Sequence, residues 1–375
     1  MRATLNNGEN TATPRARLLA VHLPQFHPIP ENDAWWGPGF TEWTNVAKTR
    51  PWFPGHYQPH LPADLGFYDL RVREAHVQQA ELAREYGIHG FIHYHYWFHG
   101  KQLLEGPVAN MLSSGAPDFP FCVCWANESW TRSWTSTGHQ LLIEQKYSAE
   151  DDLSHIRHLL PMFADPRYIK VDGKPVFFIY RASRLPHAAR TFEVWRNEAV
   201  KAGLPGLYIV RFEASGEQGD PATFGADAAA EFQPDLRYLP KEFPELAPLR
   251  VLRKLRLVPP PLRSLKMYRY AALAQQALQR PLPSYKFYRC VTPGWDNTPR
   301  RAGGAKGAWL TVGNDPSLYG GWLEQVLRDR KPLGKDEDFV LVNAWNEWAE
   351  GNHLEPCQRW GRAYLEATRR ALLGA

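Results

Sequence analysis

Two glutamates near the carboxyl end of the chain have the spacing of a catalytic acid pair. Glu347 and Glu350 lie three residues apart in the stretch NAWNEWAEG. On a helical turn this spacing places both carboxylates on one face, with their Cβ atoms roughly 5–6 Å apart. Two acids this close do not both ionise readily, so the pKa of one of them should rise. Glycoside cleavage uses such a split pair, with one carboxylate as base or nucleophile and one neutral acid for the leaving oxygen.

The residues around the pair favour this interpretation. Trp345 and Trp348 offer flat apolar faces to sugar rings, and Asn346 lies directly before Glu347. The alternative is a solvated helix start, in which acidic side chains lie near the positive end of the helix dipole. We prefer the catalytic interpretation because tryptophan and asparagine flank both acids.

Three further segments combine tryptophan with an acid or an amide, and each follows a predicted strand. The segment CWANESWTRSW begins at Cys124 and contains Glu128, a third candidate acid. The segment GFTEWTN begins at Gly39 in the first long loop, and GWDNTP begins at Gly294. Together with the acid pair, these segments predict one carbohydrate site built from several loops.

The composition excludes several classes of protein. The chain of 375 residues has 44% hydrophobic and 22% charged residues, which is typical of globular proteins. It has no run of about 18 apolar residues that could span a membrane. The net charge of +5 does not indicate nucleic-acid binding. The four cysteines lack ligand-like spacing and fit reduced thiols. Residues 1–16 are polar and lack a signal-peptide core, so we predict a disordered tail and a cytoplasmic protein.

Eight short apolar runs alternate with helical patterns along the chain. This alternation predicts parallel βα units, and eight units predict a closed (β/α)₈ TIM barrel, a single α/β domain over residues 17–375 with long βα-loop insertions. An open doubly wound sheet would carry a glycine-rich turn after an early strand, and none is present. The predicted strands are Leu18–Leu23, Gly90–Phe98, Phe121–Ala126, Val176–Tyr180, Leu207–Phe212, Ala228–Phe232, Arg289–Trp295 and Phe339–Trp345.

Helical periodicity is clearest in Leu70–Tyr86, where small and apolar residues recur at a helical period before a glycine. Further helices are predicted near Ala149–Phe163, Ala188–Ala202, Pro316–Arg328 and Arg359–Leu373.

Two of the predicted strands have a row of alternate residues that contains histidine. One row of the first strand ends at His22, and one row of the second contains His93, His95 and Trp97, whereas its other row contains Tyr96. Because barrel active sites lie at the carboxyl ends of the strands, we predict that these histidines bind sugar hydroxyls. His93 and His95 would also suit a metal-dependent hydrolase, but no remaining ligand set is evident, and we predict no metal or cofactor.

A basic insertion is predicted at about residues 243–286, after the sixth strand. One interpretation is a solvated basic helix packed on the barrel, which we prefer. The other is contact with an acidic glycan or with the anionic surface of the inner membrane. The basic residues, which occur without an acidic neighbour, are Arg250, Arg253, Lys254, Arg256, Arg263, Lys266 and Arg269.

Five stretches of the chain resemble one known family. They are HLPQFHPIPENDAWWGPGFTEWTNVAKTRPWFPGHYQPHLPADLGFYD, FCVCWANESWTRSW, RYIKVDGKPVFFIYR, PGWDNTPRR and NAWNEWAEGNHLEP. The family is that of the WbsX-type proteins, which are usually found with bacterial O-antigen and capsule loci and are related to glycoside hydrolase family 99. The resemblance runs from about Leu18 to about Ala367 and is weakest in the basic insertion.

The resemblance to family 99 implies a barrel enzyme that cleaves α-manno-configured linkages, of mannose or rhamnose type, in an endo-acting and retaining manner. It implies that Glu347 removes the proton from the sugar 2-hydroxyl, which then forms a 1,2-anhydro sugar. It implies that Glu350 protonates the leaving oxygen and later activates water. The expected partner is a bacterial polysaccharide or oligosaccharide such as O-antigen. The oligomeric state is left open.

The WbsX branch has often been labelled a glycosyltransferase, so polysaccharide assembly is the main alternative. A nucleotide-sugar enzyme needs a phosphate or metal-diphosphate site. The Asp336-Glu-Asp338 stretch lies before a strand, which is the wrong end of a barrel, and no phosphate-binding glycine pattern occurs. We therefore rank the hydrolase first.

The motifs together name the residues that we predict to bind the sugar. They are His22, Gln25, Trp36, Glu42, Trp43, His93, His95, Tyr96, Trp97, Trp125, Asn127, Glu128, Trp130, Arg132, Trp295, Asp296, Trp345, Asn346 and Trp348.

Overall fold

The computed structural model describes residues 13–132, 140–214, 216–242, 251, 254–255, 257, 260–301, 307–331 and 333–374. Most of the predicted tail, residues 1–12, lies outside these ranges. At the end of that tail, Arg15 donates its backbone N–H to the carbonyl oxygen of Leu372 at 3.0 Å, and Ala16 is buried. The packed part of the chain therefore begins a few residues before the predicted boundary.

Nine parallel strand segments form the central sheet. They are β1 (Arg17–His22), β2 (Gly90–Phe98), β3 (Phe121–Trp125), β4 (Lys174–Ile179), β5 (Tyr208–Glu213), β6 (Ala228–Glu231), β7 (Phe287–Tyr288), β8 (Cys290–Val291) and β9 (Phe339–Val342). Their order in the sheet is β7-β6-β5-β4-β3-β2-β1-β9-β8. Because only Arg289 separates β7 from β8, the chain itself joins the two ends of this order. The result is a nearly closed barrel, and the predicted TIM-barrel fold is confirmed.

The predicted strands correspond to the observed ones with shifts of a few residues at their ends. The largest difference is in the seventh unit, where the predicted run Arg289–Trp295 corresponds to the two segments β7 and β8. The eighth unit ends at Val342 rather than Trp345, because the following residues turn into a loop at the mouth of the barrel.

Ten α-helices occur in the part of the chain that the structure describes. They are α1 (Pro30–Trp36), α2 (Glu42–Lys48), α3 (Arg73–Glu85), α4 (Gly106–Ser114), α5 (Ala149–Phe163), α6 (Ala188–Lys201), α7 (Pro260–Arg263), α8 (Tyr270–Leu278), α9 (Pro316–Asp329) and α10 (Ala363–Leu373). Helix α5 shows why these boundaries form. The Ser148 hydroxyl accepts a hydrogen bond from the N–H of Asp151 at 3.1 Å, and three acidic residues follow in the first turn.

Short strands and turns complete the architecture. The antiparallel pairs join Trp130–Thr131 with Leu141–Ile143 and Asn346–Glu347 with Asn352–His353. Two more short strands, Lys101–Leu103 and Lys170–Val171, extend β2 and β4. The 3₁₀ turns are Ala182–Arg184, Pro221–Phe224, Leu236–Tyr238, Thr298–Arg300 and Trp348–Glu350.

Apolar side chains pack in two layers around the barrel wall. On the outer side of β1 and β9, Leu18, Ala20, Val340 and Val342 are fully buried against Leu323 and its neighbours in α9 and α10. Each fully buried leucine or valine contributes about 1.5–3 kcal/mol through removal of apolar surface from water. Strands β1 and β9 are therefore fixed in register, with Leu18 beside Val340 and Ala20 beside Val342.

The predicted basic insertion packs on the barrel through α8, whereas its residues Val251, Leu255 and Leu257 are exposed. Its strand Lys266–Arg269 pairs in parallel with Trp309–Val312. The fully buried Tyr270 of α8 donates its hydroxyl to the carbonyl oxygen of Thr292 at 2.7 Å. Residues 243–250, 252–253, 256 and 258–259 lie outside the described ranges. Membrane contact of this insertion stays a prediction. None of the described helices combines the length and apolar character needed to cross a membrane.

Candidate active site

A cleft opens at the carboxyl ends of the barrel strands. Its volume is about 360 Å³. Binding pockets for small ligands measure roughly 300–1,000 Å³, so this cleft has the size of a ligand-binding site. Its floor consists of residues at or just after the strand ends, namely Leu23, Tyr94, Tyr96, Ala126, Tyr180 and Phe232.

Glu347 and Glu350 both line this cleft, on a tight turn after β9. The 3₁₀ turn Trp348–Glu350 follows Glu347, so the two acids are separated by one helical turn, as their spacing predicts. Gly351 ends the turn with a positive φ of 57°. A Cβ atom at this position would lie 2.9 Å from the Cβ atom of Asp296, so a side chain would disrupt the turn.

One guanidinium group bridges the two acids. Arg300 donates from Nη2 to Glu347 Oε2 at 2.7 Å and from Nη1 to Glu350 Oε1 at 2.6 Å. Its Nε donates to Glu42 Oε1 at 2.7 Å. Glu42 begins α2 and is fully buried. Arg300 thus joins loops that follow three different barrel strands.

The electrostatics of this cluster follow from burial and from the excess of acids. Burial raises the pKa of Glu347 to about 8, and the charges of Glu350 and Glu42 add to this shift while Arg300 opposes it. Burial also raises the pKa of Glu350. Burial would lower the pKa of Arg300, but the charges of its three carboxylate partners raise it well above its ordinary value. The pKa values of both acids therefore shift upward, which is the direction that their close spacing predicts.

Six of the residues predicted to bind sugar also line the cleft. Among them, Glu128 has a side chain that is 41% exposed and that forms an ion pair with Arg181 at 2.7 Å. The ring of Tyr96 packs edge-on against that of Trp130, with centroids 5.0 Å apart. Arg132 stacks over the ring of Trp36 at 5.1 Å. The six residues are Gln25, Trp36, Tyr96, Glu128, Trp130 and Trp295.

The histidine rows face the helices rather than the cleft. His22 Nε2 lies 3.2 Å from Gln79 Oε1 of α3, and His93 packs edge-on against His22. His95 Nε2 lies 2.8 Å from His155 Nε2 of α5. Burial lowers the pKa of His22 and of His95 to about 3, so both are neutral.

Trp97, in the same row of β2, donates its indole N–H to Asp151 Oδ1 of α5 at 3.0 Å. The inward row of β2 instead brings Tyr94 and Tyr96 to the cleft. Among the described residues, no group of three or more histidine, cysteine, aspartate or glutamate side chains is arranged to hold a metal ion.

Several other predicted residues hold the loops together beneath the cleft. Trp43 donates to the carbonyl oxygen of Tyr68 at 2.8 Å, and Trp348 donates to Glu355 Oε2 at 2.6 Å. Trp125 donates to the carbonyl oxygen of Trp97 at 3.1 Å. The ring of Trp345, which is fully buried, lies 5.1 Å from that of Phe91.

The predicted amide and acid residues play similar bracing roles. Asn346 accepts the N–H of Leu23 at 2.7 Å, and Asn127 accepts the N–H of Arg181 at 2.8 Å. Asp296 lies 2.7 Å from both His56 Nε2 and Gln58 Nε2, and it lines a separate cavity. The structure does not bring these side chains to the cleft.

The cleft residues that were not predicted from the sequence include Arg300, Tyr94 and Asn32. Arg300 directly follows the segment GWDNTP, and this position next to a predicted site segment could have identified it as a site residue. Tyr94 belongs to the inward row of β2 that also contains Tyr96. Asn32 of α1 is 1% exposed and lines the cleft, and its amide oxygen and nitrogen have no hydrogen-bond partner among the described residues. Its position in a helix start gave no signal.

Relatives of known sequence extend over most of the chain. The family model described as glycosyltransferase WbsX matches residues 18–368. Two proteins from strains of Xanthomonas campestris pv. campestris, each described as "Uncharacterized protein WxcX", are 44% identical over 361 residues. These residues are 96% of this chain and 50% of each relative, so the chain spans about half the length of these relatives.

Solved structures with a similar fold include carbohydrate-active proteins. A "Glycoside hydrolase-like protein" has a TM-score of 0.58 at 14% identity, over 96% of this chain and 95% of its own. The GH99 endo-alpha-mannosidase from Bacteroides thetaiotaomicron has a TM-score of 0.54 at 15% identity, over 95% of this chain and 96% of its own. At these identities the likeness shows a shared fold. The family match covers nearly the whole chain, and the chain therefore belongs to the WbsX family.

Proposed function

We propose that this protein is a retaining glycoside hydrolase that cleaves α-manno-configured linkages in a bacterial polysaccharide such as O-antigen. The observation that carries the proposal is the pair of Glu347, which is buried, and Glu350, which is partly buried, at the carboxyl end of the barrel in a cleft lined by tryptophan and tyrosine. Both acids have a raised pKa, so one of them can hold a proton while the other accepts one.

The reaction would use the sugar's own 2-hydroxyl as the nucleophile. The carboxylate of Glu347 takes the proton of that hydroxyl, and its oxygen bonds to the anomeric carbon. The bond from this carbon to the leaving oxygen breaks as Glu350 donates a proton to that oxygen. A 1,2-anhydro sugar and a shortened glycan result.

In the second step Glu350, now ionised, takes a proton from water. The water oxygen bonds to the anomeric carbon, the bond from this carbon to the 2-oxygen breaks, and Glu347 returns the proton to the 2-oxygen. The two steps invert the anomeric carbon twice, so the configuration is retained. In the first step an axial 2-hydroxyl lies anti to an α leaving group, which is the arrangement of manno-configured sugars.

The charged side chains that line the cleft are paired with one another or with a neighbouring arginine. Glu347 and Glu350 bind Arg300, and Glu128 binds Arg181. The rings of Trp36, Trp130 and Trp295 offer stacking faces.

The family description favours a second candidate, a glycosyltransferase that acts with a nucleotide sugar. Asp338, the last residue of the Asp-x-Asp stretch, directly precedes β9 and forms an ion pair with Arg330 at 2.7 Å. It therefore lies at the amino end of the barrel, away from the cleft. This placement supports ranking the hydrolase first.

Product masses in ¹⁸O-water test both candidates. The purified protein is incubated with α-mannan, with α-rhamnan and with polysaccharide of the producing organism, with and without nucleotide sugars. Shortened glycans with one ¹⁸O at the new reducing end, formed without nucleotide, are expected. Glu347→Gln and Glu350→Gln should each lower the rate at least about 100-fold. Glu324→Gln, on the exposed surface of α9, is the matched control. Lengthened glycans with nucleotide release would contradict the hydrolase.

A further inference from the structure

The carboxylate cluster contains a third acid that does not face the cleft. Glu42 is fully buried, and it is not among the residues that line the cleft. Its Oε1 accepts from Arg300 Nε at 2.7 Å, and its Oε2 has no hydrogen-bond partner in the part of the chain that the structure describes. The carboxylate of Glu42 therefore contacts the acid pair only through Arg300.

The guanidinium of Arg300 uses a different nitrogen for each acid. Its Nη2 binds Oε2 of Glu347, and its Nη1 binds Oε1 of Glu350. No other described residue forms a hydrogen bond with these two carboxyl groups, so one oxygen of each remains for a substrate. A planar guanidinium fixes the directions of its N–H groups, and a lysine ammonium cannot reproduce this geometry.

Charge balance gives Glu42 a defined effect. Arg300 carries one positive charge against three carboxyl groups, so the cluster cannot ionise fully at low cost. The positive charge of Arg300 favours ionised Glu347 and Glu350, whereas the negative charge of Glu42 disfavours it. Among the described residues, Arg301 also interacts electrostatically with Glu350, and the neutral phenols of Tyr94 and Tyr96 interact with Glu347.

We propose that Arg300 and Glu42 act together as positioning residues, where Arg300 fixes the orientation of the catalytic acid pair and Glu42 offsets its charge so that the pair retains one proton. This inference rests on the proposed function, because it assigns a role within the same site. Without Glu42, the uncompensated guanidinium would favour loss of that proton. Without Arg300, both acids would hold protons to higher pH and no base would be present.

The two residues can be distinguished by the sign of their effects. Arg300→Gln removes a positive charge and should raise the pKa values of the acid pair. Glu42→Gln removes a negative charge and should lower them. One nearby charge typically shifts a carboxyl pKa by about 1–3 units, so each change should be measurable. A residue that only supports the fold would not produce shifts of opposite sign.

The experiment is an NMR titration of the 375-residue chain with ¹³Cδ-labelled glutamate, which requires no substrate. Glu347→Gln and Glu350→Gln assign the two carboxyl resonances, and Glu324→Gln is the surface control. We expect the pKa values of the acid pair to be higher in Arg300→Gln and lower in Glu42→Gln than in the wild type. Arg300→Lys keeps the positive charge, so the pKa values of the acid pair should stay near those of the wild type. If this variant nevertheless loses glycan cleavage, the orientation that Arg300 gives the acid pair is required in addition to its charge.

Folding is checked by near-ultraviolet circular dichroism and by Tm. If Arg300→Gln does not fold, Glu42→Gln alone decides, and an unchanged or raised pair pKa in the folded variant overturns the proposal. Shifts of the same sign in both variants overturn it as well. Failure of the wild type to cleave any glycan would refute the proposed function, whereas the titration reports on Arg300 and Glu42 independently of cleavage.

Discussion

Tyr96 and Trp97 are neighbours in β2, yet they lie on opposite sides of the barrel wall. Tyr96 lines the cleft that contains the two candidate catalytic glutamates. Trp97 stacks on His155 of α5, with ring centroids 4.9 Å apart and an interplanar angle of 7°. Alternate residues of a strand point to opposite faces, so one position separates a substrate contact from a packing residue.

This relationship predicts different effects of two substitutions. Tyr96→Phe keeps the buried ring and removes only the hydroxyl, so it should lower kcat/KM for glycan cleavage up to about 10-fold with a small change in Tm. Trp97→Ala should lower the free energy of unfolding by about 3–5 kcal/mol because it leaves a cavity and an unpaired Asp151. Steady-state kinetics and thermal unfolding on both variants measure the two effects. Equal loss of stability in both would contradict the assignment.

The raised pKa values of the acid pair predict a bell-shaped pH profile of kcat/KM. The active form holds one proton on the pair, so activity falls at low pH when both acids are protonated and at high pH when both are ionised. Because burial raises both pKa values, the optimum should lie above the ordinary range of carboxyl groups, towards neutral pH. Rates measured from pH 4 to pH 9 check this, and an optimum near pH 4 would be inconsistent with the buried pair.

The raised pKa of Glu355 predicts that the stability of the fold depends on pH independently of catalysis. Burial raises its pKa to about 7, although Tyr68, Gln79 and Trp348 all donate hydrogen bonds to it. A carboxyl group with a raised folded-state pKa stabilises the fold fully below its unfolded pKa, and the contribution is lost as pH rises through the folded pKa. The loss should be roughly 3 kcal/mol between about pH 4.5 and pH 7.

The measurement is the free energy of unfolding, obtained by denaturant titration at several pH values. Glu355→Gln should reduce this pH dependence, because the amide does not titrate. A wild-type stability that rises steadily over the same interval, with no difference in the variant, would show that Glu355 is ionised in the folded protein.

The unpaired amide of Asn32 predicts that this residue lowers the stability of the free protein and strengthens sugar binding. Its buried amide oxygen and nitrogen lack partners among the described residues, and such groups typically cost about 1–3 kcal/mol each. We expect a sugar hydroxyl to supply a partner. Asn32→Ala should therefore raise KM about 10-fold while Tm stays equal or increases. Steady-state kinetics and thermal unfolding, with the surface variant Glu324→Gln as control, would test this. A lower Tm with unchanged KM would mark Asn32 as a structural residue only.

Local features of this protein follow from short stretches of its sequence. The spacing of Glu347 and Glu350 predicts two neighbouring acids, because residues three apart are neighbours on a helical turn, and the 3₁₀ turn Trp348–Glu350 supplies such a turn. The alternation of apolar runs and helical patterns predicts the barrel, because each run must be buried and each amphipathic stretch must cover it.

Contacts between distant parts of the chain could not be predicted from the sequence. Arg300 lies 47 positions from Glu347 and 258 from Glu42, so no local pattern joins the three. The orientation of the β2 rows was also not fixed by periodicity, because both rows are rich in aromatic residues and pack equally well on either side. The helices decided it: His155 and Asp151 of α5 provide polar partners that the outward row requires, which leaves the tyrosines for the cleft.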